Sequence, residues 1–237
     1  MDSKLFLPVW VVGSLMLSAL VTGWLYRGDG WRAEALEQTA VGGLIFELGA
    51  LFFTIGLPFL ALLTGTLSLD LMGMGRPWSS GDHAAGFTPG EWLRGAGEML
   101  GAAGFALFAL WHSRGGSGLI TRHEGAASDA LAAVRDEVHW IFYRAPGALI
   151  TGDPFVGVLT GIGLTLFEWL LNPRFLSHDI KRENRWHLLL RLTCLLVSAT
   201  LYLGTRNLWL MMAAHIAIQV VAARMPKARQ KTLATDA

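Results

Sequence analysis

The side chains of this chain that could do chemistry are few and crowded together. Arg135-Asp136-Glu137-Val138-His139-Trp140-Ile141-Phe142-Tyr143-Arg144 sets two carboxylates, an imidazole, a phenol and two guanidiniums in one short segment. Beyond it stand Glu168, and His215 with Gln219 one helical turn later. Carboxylates and imidazoles serve general acid–base chemistry and divalent-metal sites. If the segment is helical, Glu137, Trp140, Ile141 and Arg144 share one face, spaced i, i+3, i+4 and i+7. Asp136, His139 and Tyr143 share the opposite face by the same spacing. One helix would thus offer a carboxylate–guanidinium side and a carboxylate–imidazole–phenol side.

The elements that must carry these groups are apolar. Of 237 residues, 53% are hydrophobic and 16% charged, against about 25% charged in a typical soluble protein. No charged residue falls between Leu5 and Tyr26, and between Ala40 and Leu69 only Glu47 does. Apolar runs of this length are bilayer-spanning helices. A soluble enzyme, a disordered tail and a secreted disulfide scaffold are excluded. Cys194, the single cysteine, sits in an apolar run, so there is no disulfide framework or cysteine-based metal site within the chain. A formal charge of +1 gives no bulk attraction to nucleic acid, and that partner class is dropped.

Seven spans are expected, over 5–26, 39–63, 92–112, 128–149, 154–171, 186–205 and 207–224. The fold class is all-α, a polytopic membrane helix bundle of about seven transmembrane helices. Residues 1–225 form one transmembrane domain and 226–237 a short basic tail. The first span has no basic n-region and no clear A-x-A site, so it is expected to stay as a helix. The fourth is too polar to face lipid and must turn its charges toward a protein interior or a water-filled cavity. Pro58, Pro146 and Pro154 are expected to kink or end helices. Gly97-x-x-x-Gly101 and Gly157-x-x-x-Gly161 are expected to bring helix backbones close together. Glu47 is expected as a buried partner for another span, and Arg191 to snorkel from its span.

With seven spans, twelve Lys and Arg residues fall in connections or at span ends on one side and four on the other, with Arg135, Arg144 and Arg191 deeper inside spans. The richer side should be cytoplasmic. The N-terminus is then outside and the C-terminus cytoplasmic, in a bacterial inner membrane. At 1.5 Å rise per residue, His215 lies roughly 12 Å below the outer end of its span, Gln219 about 18 Å, Glu168 about 21 Å and Glu137 roughly 16 to 18 Å. Four polar side chains from three helices share one slab of the membrane and could converge on a buried site.

The stretch from Leu201 through Trp209 and His215 to Gln219 resembles the last region of the CPBP family of intramembrane metalloproteases, also described as CAAX-prenyl protease-like or bacteriocin-processing proteins. That family closes on H-x-x-x-N/D and opens on E-E-x-x-x-R. Tyr143-Arg144-Ala145 resembles the end of the opening motif, and the CPBP-like core covers about 130–222. If Arg144 is the motif arginine, His139 and Trp140 stand at the two glutamate positions, with Glu137 one turn earlier on Trp140's face. The middle motif, F-x-x-x-H, has no clean counterpart: Phe167 is followed four residues later by Leu171 and five later by Asn172, neither a good metal ligand; alternatively Leu164-x-x-x-Glu168 fills the slot with Glu for His. Gln219 replaces Asn or Asp. The resemblance implies a carboxylate that activates metal-bound water, histidine ligands and an amide on the oxyanion. Carried over, it assigns Glu137, Arg144 and Gln219 to catalysis, and Glu168, His215 and His139 to zinc or another divalent ion. On an ideal helix Glu137 and His139 point about 200° apart, so both cannot ligate one ion without a kink.

Three readings follow. One is a CPBP-like protein with a degenerate protease site, an accessory or binding subunit that meets the lipid bilayer and other membrane-protein subunits. Another is an active, divergent metal-dependent intramembrane endopeptidase. The last is a pigment- or haem-binding subunit with His139 or His215 as axial ligand.

Overall fold

A computed structural model describes residues 3–26, 39–75, 86–113, 126–172 and 182–225. The 114–125 loop, the 226–237 tail and most of the loop cations that orient the sequence lie outside these residues. Among the described residues there are seven helices. They are α1 (Ser3–Tyr26), α2 (Ala40–Leu63), α3 (Pro89–Ser113), α4 (Ala126–Thr151), α5 (Pro154–Leu171), α6 (Arg182–Thr205) and α7 (Leu208–Arg224). Five of them, all but α4 and α7, are long and apolar enough to cross a membrane. With no water in the hydrocarbon region, a spanning segment must satisfy its backbone internally, which selects helices for such apolar runs. The chain is an integral membrane protein.

Helix α4 is the hub. It packs along α5 most extensively, then on α7, and also touches α1 and the middle of α2. Every residue from 137 to 148 is buried. The helix with the most charged residues is therefore packed among apolar ones, whose outer faces carry large exposed side chains such as Val9, Leu44 and Leu159. That inside-out arrangement suits a lipid solvent, in which exposing Leu or Phe costs nothing.

Local chemistry sets the element ends. Gly152, at φ +74°, lets the chain leave α4, and Asp153 caps α5 by accepting from the Phe155 amide at 2.8 Å, with Pro154 in the first turn. Asn207 caps α7 by accepting from the Trp209 and Leu210 amides. Pro58 has no amide hydrogen and crowds the carbonyl four residues before it, and the turn ahead of it widens into a π-turn over Phe52–Gly56. Thus α2 continues past its proline. Helix α4 also runs on through Pro146 to Thr151.

Glycines decide how closely α5 approaches. A Cβ on Gly161 would collide with Arg144 Cγ and stand 3.1 Å from the Arg144 amide nitrogen; one on Gly157 would stand 3.0 Å from Arg144 O. The small-residue contact on α5 is as expected. On α3 it is not: Gly97 and Gly101 have nothing within reach of an added Cβ, whereas Gly95 sits against Leu210 and Thr205. The side of α3 that meets the bundle is set by its contacts with α6 and α7, which a spacing of small residues does not encode. Replacing Gly161 by Val should force α5 off Arg144 and destabilise the detergent-solubilised protein by about 1–3 kcal/mol. A lower thermal-unfolding midpoint is the expected readout, with Gly101→Val unchanged as the contrast.

Candidate functional site

The polar side chains of α4 divide between its two faces. On the face toward α6 and α7, Glu137 is completely buried. Its Oε1 lies 3.0 Å from His215 Nδ1, and its Oε2 accepts from Ser198 Oγ. That hydroxyl in turn accepts from Arg144 Nη2 at 2.9 Å, while Arg144 Nη1 meets Met211 Sδ at 3.6 Å. The guanidinium also lies over the Tyr202 ring, 5.5 Å from its centre. His215 Nε2 stands 2.9 Å from the Gln219 side-chain nitrogen. A neutral imidazole with its proton on Nδ1 satisfies both contacts, donating to Glu137 and accepting from Gln219. Trp140 stacks on the imidazole with centroids 5.1 Å apart and planes 13° from parallel.

Glu137 and Arg144 thus neutralise one another through a serine, with His215 holding the second carboxylate oxygen. Glu137, Arg144, His215 and Ser198 are each exposed by 2% or less. An unpaired charge at this depth costs about 3 kcal/mol or more, so neither partner is stable there alone.

The opposite face looks toward α1 and α5. His139 Nε2 is 2.9 Å from Glu168 Oε2, and Ser18 Oγ donates to Glu168 Oε1 at 3.1 Å. Tyr143 and Phe53 pack on the His139 ring, with centroids 4.3 and 4.8 Å away. The π-turn of α2 supplies that phenylalanine.

Of the four groups expected at one depth, Glu137, His215 and Gln219 do come together. Glu168 goes to His139 on the far side of α4. Arg135 reaches Glu47 of α2 at 3.2 Å, and there Glu47 is exposed, not buried as expected. Arg191 is not simply solvated; it binds both oxygens of Asp136 at 3.1 and 3.2 Å and lies over Trp169. Ser198 and Ser18 were not singled out from the sequence. Hydroxyls in spanning helices commonly bond their own i−4 carbonyl, as Thr193 and Thr200 do here. The available signal was phase: Ser198 shares a face of α6 with Cys194, and Ser18 follows Ser14 by one turn.

A zinc centre needs three protein ligands and an open position. His139 and Glu168 supply two on one side of α4, and His215 belongs to Glu137 on the other. Among the described residues no group of three His, Cys, Asp or Glu could hold a metal ion. The donor set does not fit the divalent centre expected from the sequence, and no step is routed through one. Of the imidazole nitrogens of His139 and His215, only His139 Nδ1 lacks a partner, which leaves little for an axial haem bond.

A cleft of about 310 Å³ opens at the end of the bundle where α4 begins, lined by Asp129, Arg135, Asp136, His187, Arg191 and Gln219. Gln219 forms part of its wall and is also the partner of His215, so the buried network meets solvent through one amide. The chain matches no family model, no curated protein and no solved structure.

Truncating one member of the network should cost more than truncating both. Glu137→Gln or Arg144→Met alone leaves a buried charge unpaired and should destabilise by about 3–5 kcal/mol. The double variant should recover a large part of that. Unfolding midpoints in detergent that simply add would show that the two charges are uncoupled.

Proposed function

We propose that this protein is a CPBP-like membrane subunit whose protease-type positions have become structural, and that it acts as an accessory or binding component of a membrane assembly. The supporting observation is that its intramembrane acids are already engaged. Glu137 is held by His215 and Ser198, and Glu168 by His139 and Ser18, on opposite sides of α4. A carboxylate that must activate water needs a free oxygen facing a metal or substrate, and neither acid offers one.

The His139–Glu168 pair adds to this reading. In the resembled motifs these positions carry Glu and His; here the types are exchanged and the contact is 2.9 Å. Such an exchange would put an interhelical hydrogen bond where the motif has a ligand histidine. In this reading the N-terminus faces outward and the basic C-terminal end the cytoplasm of a bacterial cell, and the lipid-facing surfaces of α1, α2 and α3 are available to neighbouring subunits.

The test is reconstitution of the full chain in liposomes with prenylated and transmembrane peptides, with zinc added. No cleavage above that of His215→Ala is expected, and the protein extracted in mild detergent should run with fixed stoichiometry alongside another membrane protein. Cleavage that disappears in His215→Ala would overturn the reading in favour of a divergent metalloprotease.

A further inference from the structure

A second cleft, of about 440 Å³, lies at the opposite end of the bundle, where α3 begins and α6 turns into α7; Asp70, Phe87, Thr88, Glu91, Leu203 and Arg206 are in its lining. That volume falls in the range of small-molecule sites. Close backbone approach fixes the walls. The Leu208 amide donates to Gly73 O at 2.8 Å, and a Cβ on Gly73 would stand 2.8 Å from Arg206 O. The stretch that ends α2 and runs to Gly75 is thus pressed onto the α6–α7 turn, with no room for a side chain between them.

Three charges line the cleft. Glu91 is engaged locally: one of its oxygens accepts from the amide and the hydroxyl of Thr88 at 2.7 and 2.9 Å, closing the first turn of α3. Asp70 and Arg206 differ from it. Both are exposed, and among the described residues neither side chain forms a hydrogen bond or an ion pair. Opposite in charge, they do not pair with each other, although both lie within electrostatic reach of the Tyr202 hydroxyl.

Arg206 is also strained. Its φ of +47° is left-handed, at the position just after α6 where glycine or asparagine is the usual residue. The Arg206 amide closes that turn on Tyr202 O at 3.0 Å, a bond that glycine would make equally well. The backbone gains nothing from arginine there; what arginine adds is a guanidinium at the cleft. Strain kept in this way is a mark of binding sites.

An unpaired cation and an unpaired anion at one cleft complement a zwitterion. The cleft sits at the ends of two spanning helices, which is the level of lipid headgroups. Leu203 in its lining and Leu93 near the start of α3 are exposed, so apolar surface adjoins it. We propose that this cleft binds the phosphoethanolamine head of a membrane lipid, with the phosphodiester on Arg206 and the ammonium on Asp70. A guanidinium offers paired N–H donors to a phosphate, and an ammonium offers three donors to a carboxylate. A choline head has no N–H donor and a glycerol head has no positive charge, so neither matches both groups.

Full-length protein, purified in detergent and stripped of lipid, should unfold at a midpoint about 2–4 °C higher with phosphatidylethanolamine in the micelles than with phosphatidylglycerol or phosphatidylcholine. Native mass spectrometry should find one phosphatidylethanolamine retained per chain. Asp70→Asn and Arg206→Gly should each lose both responses. Without lipid, Arg206→Gly should unfold at the wild-type midpoint or higher, because glycine takes a φ of +47° without strain. Ser113→Ala, at the far end of α3, should keep both responses. Equal midpoints in the three lipids would overturn the proposal, and so would a phosphatidylethanolamine response that survives in Arg206→Gly. A response to free phosphoethanolamine with none to the lipid would overturn the lipid as occupant in favour of a soluble zwitterion.

Discussion

Arg144 carries a permanent charge at a depth where solvent cannot reach it, and the bundle is arranged around neutralising it. Its counter-charge, Glu137, lies two turns back on the same helix, so the pair needs no long-range folding event to come near. What needs tertiary structure is the completion. Ser198 from α6 joins guanidinium to carboxylate, and His215 from α7 takes the remaining carboxylate oxygen. Each of these groups would be costly in hydrocarbon alone and is inexpensive in company. The same network therefore pins three helices in one rotational setting, and Gly157 and Gly161 let α5 close over the arginine from the other side.

A helix so polar survives in a membrane protein because two distinct polar environments share it. One face of α4 is a closed charge network with a single amide leading toward solvent. The other is a pair, His139 and Glu168, to which Ser18 of α1 donates and beside which Tyr143 packs. Ring packing separates the two: Trp140 stacks on His215 on one side, and Phe53 and Tyr143 cover His139 on the other. Each face ties α4 to different neighbours, α6 and α7 on one side and α1 and α5 on the other.

Much of the fold was legible beforehand. The expected spans 154–171 and 207–224 differ from α5 and α7 by at most a residue, because Asp153–Pro154 and Asn207 are strong start signals. The starts of α3, α4 and α6 lie two to four residues earlier than expected, where polar first turns hide the boundary from an apolar window. The division of α4 into two faces was also legible, since it follows from 100° per residue. The partners were not. Equal depth suggested that Glu168 joins His215, yet depth is one coordinate of three, and the azimuth of α5 around α4 sends Glu168 to His139 instead.

The sequence by itself determined that helices form and where, because an apolar run in hydrocarbon must close its own backbone hydrogen bonds. It also determined that Arg144 and Glu137 lie on one face, by helical phase alone. Only the tertiary structure decided which neighbour each buried acid meets. That choice rests on how every helix is rotated and on how closely glycine lets backbones pack, and lateral packing of this kind has no local signature in the chain.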